Sequence, residues 1–212
     1  DIIRLWVAAA DYRAEMAVSD EILKRMTDSY RRMRNTARFL LGNLHDFDPA
    51  RDSLAASEMI DLDRWAVDRA LTVQDEVRRA FDAYNFHRVY QAVHNFCSVD
   101  MGAFYLDVLK DRLYTTPADS NARRSAQTAM QHILEALVRW LAPIVSYTAD
   151  EIWEHMPGVR SGSVFEAEWY EGLFPLAEDA ALDRADWNRI KEARAAVARR
   201  LETLRNEGTI GA

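Results

Sequence analysis

Tyr30-Arg31-Arg32-Met33-Arg34-Asn35-Thr36-Ala37-Arg38-Phe39-Leu40-Leu41 belongs to a segment, residues 19–44, whose apolar side chains recur at helical spacing. Ile22, Met26, Tyr30, Met33, Ala37, Leu40, Leu41 and Leu44 follow one another mostly at three and four residues. At about 100° per residue they share one arc, which predicts an amphipathic helix packed on a core. Ser19 stands where an N-cap is wanted, and Asp20 and Glu21 follow at the positive end of the helix dipole. The same wheel gathers Lys24, Arg31, Arg34 and Arg38 on one flank, with Asn35 at its edge. Arg25 and Arg32 fall on the other flank, beside Phe39. From Lys24 to Arg38 there are six cations and one acid, Asp28.

This strip sits on a chain of net charge −7. Bulk attraction for a polyanion is therefore excluded, and a local basic surface points to a partner met at one chosen place. The competing reading is an ordinary solvated face. Arginine predominance favours phosphate, because a planar guanidinium matches it better than an ammonium does. The whole chain holds only three lysines (Lys24, Lys110 and Lys191), so arginine usage alone does not decide.

The 212 residues are enough for one domain, or one plus a small appendage. Hydrophobic residues make up 49%, with six Trp, eight Tyr and eight Phe, so the chain is globular. Seven Gly, five Pro and long stretches of 3.6-residue periodicity predict an all-α architecture. No apolar run approaches the roughly 20 residues that cross a bilayer. The single Cys97 excludes an intramolecular disulfide and fits a reducing compartment. Asp1-Ile2-Ile3-Arg4-Leu5-Trp6 opens without Met in mid-helix, as expected of a piece of a longer protein.

Along the chain, residues 1–10 read as a helix end and 11–18 as a connector. Residues 61–84, 86–98 and 120–141 read as further helices, with another starting at Asp100 or Met101 and running to about Tyr114. Pro117 stops that pattern, and Pro143 closes or kinks the 120–141 helix. Thr148 with Glu151 spells a capping box for a short helix ending before Pro157. Residues 158–182 read as a loop or short strand, and 186–206 as a polar helix with a thin apolar seam.

No catalytic constellation is legible. Cys97 follows His94 without an orienting third group, so a buried structural thiol is expected. Glu151, Glu154 and His155 form a metal-like spacing only once, and no Gly-rich phosphate loop is present. Tyr12, Phe39, Phe47, Tyr114 and Trp169 lie near element ends, either as core plugs or as surfaces on which unpaired bases stack.

Four stretches together resemble the anticodon-binding region of bacterial isoleucyl-tRNA synthetase. They are Asp1-Ile2-Ile3-Arg4-Leu5-Trp6-Val7-Ala8 with its continuation to Leu23, Tyr30 to Leu44, Phe104 to Tyr114, and Trp140 to Trp153. The resemblance implies an all-α helical bundle of the class I synthetase anticodon-binding type, with a small irregular C-terminal extension. It implies residues 1–18 as a link from the catalytic domain, 19–157 as the bundle, and 158–212 as connector and polar helix leading to a C-terminal module. The function implied is binding of the anticodon stem-loop, within an enzyme that activates isoleucine with ATP and charges its tRNA. ATP with magnesium, and zinc, are implied for the full-length enzyme and none for this chain. A separate editing domain is implied as well, since one methylene gives only about 1–3 kcal/mol of discrimination.

On that reading Lys24, Arg31, Arg34 and Arg38 position stem phosphates, while Asn35 and Phe39 meet unpaired loop bases. Acidic surface elsewhere repels RNA from the wrong faces. The expected setting is a cytoplasmic monomer whose partners are the isoleucine tRNA and the remaining domains of the same polypeptide. A helical interaction or dimerisation domain without RNA binding is the alternative.

Overall fold

The computed structural model describes residues 1–160 and 162–211. They form helices and connecting loops, with no strand among the described residues. Two compact units are present, Asp1–Pro175 and Leu176–Ala212. The sequence-based boundary at 157/158 differs from this division by the segment 158–175; positions 161 and 212 of the 158–212 expectation lie outside the described residues.

The first unit contains α1 (Ile2–Ala9), α2 (Asp20–Asn43), the single turn α3 (Pro49–Asp52), α4 (Asp61–Asp82), α5 (Phe86–Asn95), α6 (Leu106–Thr115), α7 (Asn121–Leu141) and α8 (Ser146–His155). Its axis is α7. Ala126, Ala129, Met130, Ile133, Leu134, Leu137, Val138 and Trp140 are all fully buried there. Neighbours enclose α7 on most sides, for it lies against α2, α4, α6 and α8. Polar residues on its surface are mostly bonded: Gln127 Nε2 donates to the Asn43 carbonyl at 2.9 Å, and Gln131 Nε2 donates to Glu135 at 2.9 Å, while Gln131 Oε1 is enclosed without a partner among the described residues.

Glu135 shows how the interior admits charge. Arg139 donates to its carboxylate at 2.6 Å and Arg160 donates to both of its oxygens, while the two guanidiniums stack on the Trp153 ring at 4.9 and 4.5 Å. Burial pushes this carboxyl up, but Arg160 and Arg139 outweigh it and hold it below the usual glutamate range. Asp46 behaves likewise, with burial opposed by Gln127 and Arg123. A folded-state value below the unfolded one means stability that is complete above about pH 4.3 and is lost as pH falls further. Thermal unfolding should therefore drop below about pH 4, with a shallower pH slope in Glu135→Gln. An unchanged slope in that variant would show that Glu135 is not among the groups responsible.

Two sequence expectations change. The helix does not break between residues 98 and 100. α5 passes through a π-helical segment, Phe96–Tyr105, directly into α6. The wider turn changes the facing of the chain without ending it, so the buried sides of α5 and α6 both meet the core. Of the two readings for 158–182, loop or short strand, the described residues show the loop, with a 3-10 turn at Val164–Glu166 and no strand. Thr148 is not an N-cap: α8 begins at Ser146, two residues earlier.

The second unit carries α9 (Arg184–Asn206), started by a capping box in which Asp183 and Asp186 exchange hydrogen bonds at 2.8 and 3.1 Å. Ile190, Val197 and Leu201 of its seam are exposed.

Candidate nucleic-acid interface

Ser19 caps α2 as its sequence requires, its hydroxyl accepting from the Ile22 amide at 3.2 Å. Met33, Ala37 and Leu40 lie at 0–1% exposure on the buried side. Burying that stripe fixes the rotation of α2 and turns the basic flank outward. The helix carries six cations against three acids, Asp20, Glu21 and Asp28.

The second wall of the site is α8. Its first turn is held by the Asp1 carboxylate, which accepts from the Thr148 amide at 2.8 Å, the Tyr147 amide at 3.3 Å and the Thr148 hydroxyl at 2.6 Å. A carboxylate from another element thus supplies the anionic cap that the Thr148–Glu151 pattern was expected to provide. With its proton committed to Asp1, Thr148 Oγ1 accepts from the Tyr30 hydroxyl at 2.8 Å. Farther along, Arg34 Nη2 donates to both oxygens of Glu151, at 3.2 and 3.4 Å. α2 and α8 therefore run in step, Tyr30 opposite Thr148 and Arg34 opposite Glu151.

Between them lies a groove of about 600 Å³, lined by Arg34, Arg38, His45, Glu151 and His155 among others. Gly42 also lines it, and a Cβ built there meets nothing within 4 Å. Two residues of the expected strip, Arg34 and Arg38, thus share one cavity. Lys24, Arg31 and Asn35 are on α2 but do not line it, and Phe39 is not among its lining residues either.

Neutralisation along the strip is partial. Arg31 pairs with Asp28 at 3.2 Å, with both side chains more than half exposed, and Arg34 pairs with Glu151. Exposed pairs of this kind are worth about 0–1 kcal/mol, so a phosphate can replace either carboxylate. Among the described residues Lys24, Arg32 and Arg38 form no ion pair. Burial, and after it the positive charge of Arg32, hold the His94 imidazole below its ordinary value, which places Arg32 toward α5. Five arginines elsewhere are used differently. Arg112, Arg123, Arg124, Arg139 and Arg160 have side chains 12–17% exposed, each against a carboxylate. Those are internal staples, and the open cations of the strip are concentrated on α2.

Glu151 and His155 escaped the sequence reading of this site because more than a hundred residues separate α2 from α8, and His45 because it lies just past the end of the α2 wheel. A signal was present: Thr148, Glu151, Ile152 and His155 share one face of α8 by i, i+3, i+4 and i+7 spacing. The aromatic candidates divide. Phe47 is a core plug at 4% exposure. Trp169 packs on Phe81 at 6.1 Å under the Arg78 guanidinium, and Tyr12 bonds the Tyr84 carbonyl at 3.0 Å. Tyr114 stays 68% exposed. Cys97 is buried, and its enclosure pushes the thiol up to about 12, as suits an inert structural residue.

The model of the family described as "Anticodon-binding domain of tRNA ligase" matches residues 63–212. The chain is 66% identical over 212 residues to an isoleucine--tRNA ligase of Halorhodospira halophila, covering 100% of the chain and 22% of the relative. It is 63% identical over 212 residues to that of Alkalilimnicola ehrlichii, again 100% of the chain and 22% of the relative. With the ligase of Nitrosococcus oceani it shares 64% over 211 residues, at 100% and 22%. The chain spans about a fifth of the length of these curated relatives.

Proposed function

This chain belongs to the family of tRNA-ligase anticodon-binding domains, and from that premise we propose that it holds the anticodon arm of isoleucine tRNA. The longer polypeptide would activate isoleucine with ATP and charge that tRNA at a site outside these residues. The observation that carries the reading is the arrangement on α2, where cations follow the outer flank and two of them, Arg34 and Arg38, line a groove.

Lys24 to Arg38 spans about 21 Å at 1.5 Å per residue, enough to track several successive phosphates of a stem. Arg31, Arg34 and Arg38 would take those phosphates, Arg34 leaving Glu151 to do so. Asn35 and Phe39 would meet unpaired bases of the loop. Acidic surface elsewhere confines binding to this face. A single copy in the cytoplasm is the setting this reading assumes.

The ATP, magnesium and zinc implied for the whole enzyme belong, on this reading, to its other parts. Among the described residues no group of three or more His, Cys, Asp or Glu side chains comes together as a metal ligand set. No helix of the described residues is long and apolar enough to cross a membrane.

The test is titration of labelled isoleucine tRNA and a non-cognate tRNA at two salt concentrations. The expected result is tighter cognate binding that weakens steeply with salt, by a slope of about 0.7–0.9 per phosphate contact. Salt-independent binding, or none, would refute the reading; a stable dimer without RNA affinity would favour an interaction domain instead.

A further inference from the structure

The groove between α2 and α8 offers two kinds of polar group, and the anticodon-arm reading uses only one. Arg34 and Arg38 are donors for phosphate. His45 and His155 line the same cavity. His45 Nδ1 lies 3.0 Å from the Gly42 carbonyl oxygen, and His155 Nδ1 lies 2.8 Å from the Glu151 carbonyl oxygen. A carbonyl only accepts, so in each ring Nδ1 carries the proton and donates it. The neutral imidazole then has its lone pair on Nε2, which is an acceptor. Both rings are tied in this way to their own helix end, which sets tautomer and orientation together. Asp46 approaches His45 Nδ1 no closer than 3.9 Å.

The Thr148 hydroxyl already receives Tyr30, and Glu151 receives Arg34 until that guanidinium turns to phosphate. Two histidine lone pairs beside two guanidiniums match a ligand that alternates anionic acceptors with hydroxyl donors. RNA backbone has this character, with a phosphate and a ribose 2′-hydroxyl in every nucleotide; DNA lacks the hydroxyl.

We propose that this groove reads the ribose-phosphate backbone of RNA, Arg34 and Arg38 holding phosphates while His45 and His155 accept from ribose 2′-hydroxyls. The inference rests on the anticodon-arm reading and adds to it the discrimination of RNA from DNA.

The experiment uses an isoleucine anticodon stem-loop RNA from which 2′-hydroxyls are removed one nucleotide at a time. Each oligonucleotide is titrated against the wild-type chain, the single variants His45→Phe and His155→Phe, and the double variant. Phenylalanine keeps a ring and removes the lone pair. Thermal unfolding of every variant verifies that it is folded. The wild type should lose about 3- to 10-fold at one or two nucleotides, the size of one ordinary hydrogen bond. The double variant should bind unmodified RNA more weakly by a similar factor and lose nothing further at those nucleotides. An unchanged loss in the double variant overturns the assignment. So does salt-dependent RNA binding that no 2′-hydroxyl removal weakens, although the anticodon-arm reading then survives. Absence of RNA binding removes both.

Discussion

Replacing Arg31, Arg34 and Arg38 together by glutamate is expected to weaken binding of isoleucine tRNA by about 10²- to 10³-fold near physiological salt. Three phosphate contacts would be lost, and the slope of log affinity against log salt should flatten by about 2–3. The side chains are far enough into solvent for the change to be made without dismantling the core: Arg31 is 68% and Arg34 42% exposed. In the Arg34→Glu change a second carboxylate comes to face Glu151 and adds local repulsion, so thermal unfolding is measured in parallel. The matching triple lysine variant keeps the charge and loses the planar fork, and it should bind at an intermediate level with the salt slope largely retained. Wild-type affinity in the glutamate variant, with the fold intact, would remove α2 from the interface.

The largest stability effect is expected at a position far from that surface. Asp63 is 0% exposed. Its carboxylate accepts from the Tyr105 hydroxyl at 2.8 Å, the Ser125 hydroxyl at 2.5 Å and the Arg112 guanidinium. The Ile60 amide, just before α4, donates to the same Ser125 hydroxyl at 2.8 Å. One carboxylate thus joins the start of α4, the π segment, α6 and α7. Asp63→Ala leaves Arg112, only 17% exposed, and the enclosed Tyr105 hydroxyl without their acceptor. Removing one member of such a buried pair costs about 3–5 kcal/mol, or roughly 10 °C in a chain of this size. Asp63→Asn preserves the shape and part of the accepting capacity, so its stability should fall between wild type and the alanine variant. Chemical denaturation decides: a loss under about 1 kcal/mol in the alanine variant, well short of the usual cost of breaking a buried pair, would mean that Arg112 finds another acceptor.

Much of the fold was legible in residue order, for a physical reason. The ends of α2 and α7 are local events, set by Ser19 and Ser120 hydroxyls that accept from amides three residues on. The buried arcs of these helices follow from the 3.6-residue period. The outward turn of Arg34 and Arg38 followed from the same wheel. Continuity across residues 96–105 was not legible, because a π turn breaks the period on which the reading depends. The start of α8 was misplaced because its cap, Asp1, arrives from the far end of the sequence. Internal stapling was invisible too: Arg31 and Arg112 are alike as letters, and only burial distinguishes an open cation from one committed to Asp63.

The order of residues by itself determined the helical class, the amphipathic face of α2 and the concentration of guanidiniums along it, since each depends on neighbours within a few positions. Tertiary structure alone decided that Arg34 and Arg38 share a groove with His45, Glu151 and His155, and that Glu151 faces Arg34. Those relations depend on α8 lying beside α2, and packing around α7, rather than any local pattern, puts it there.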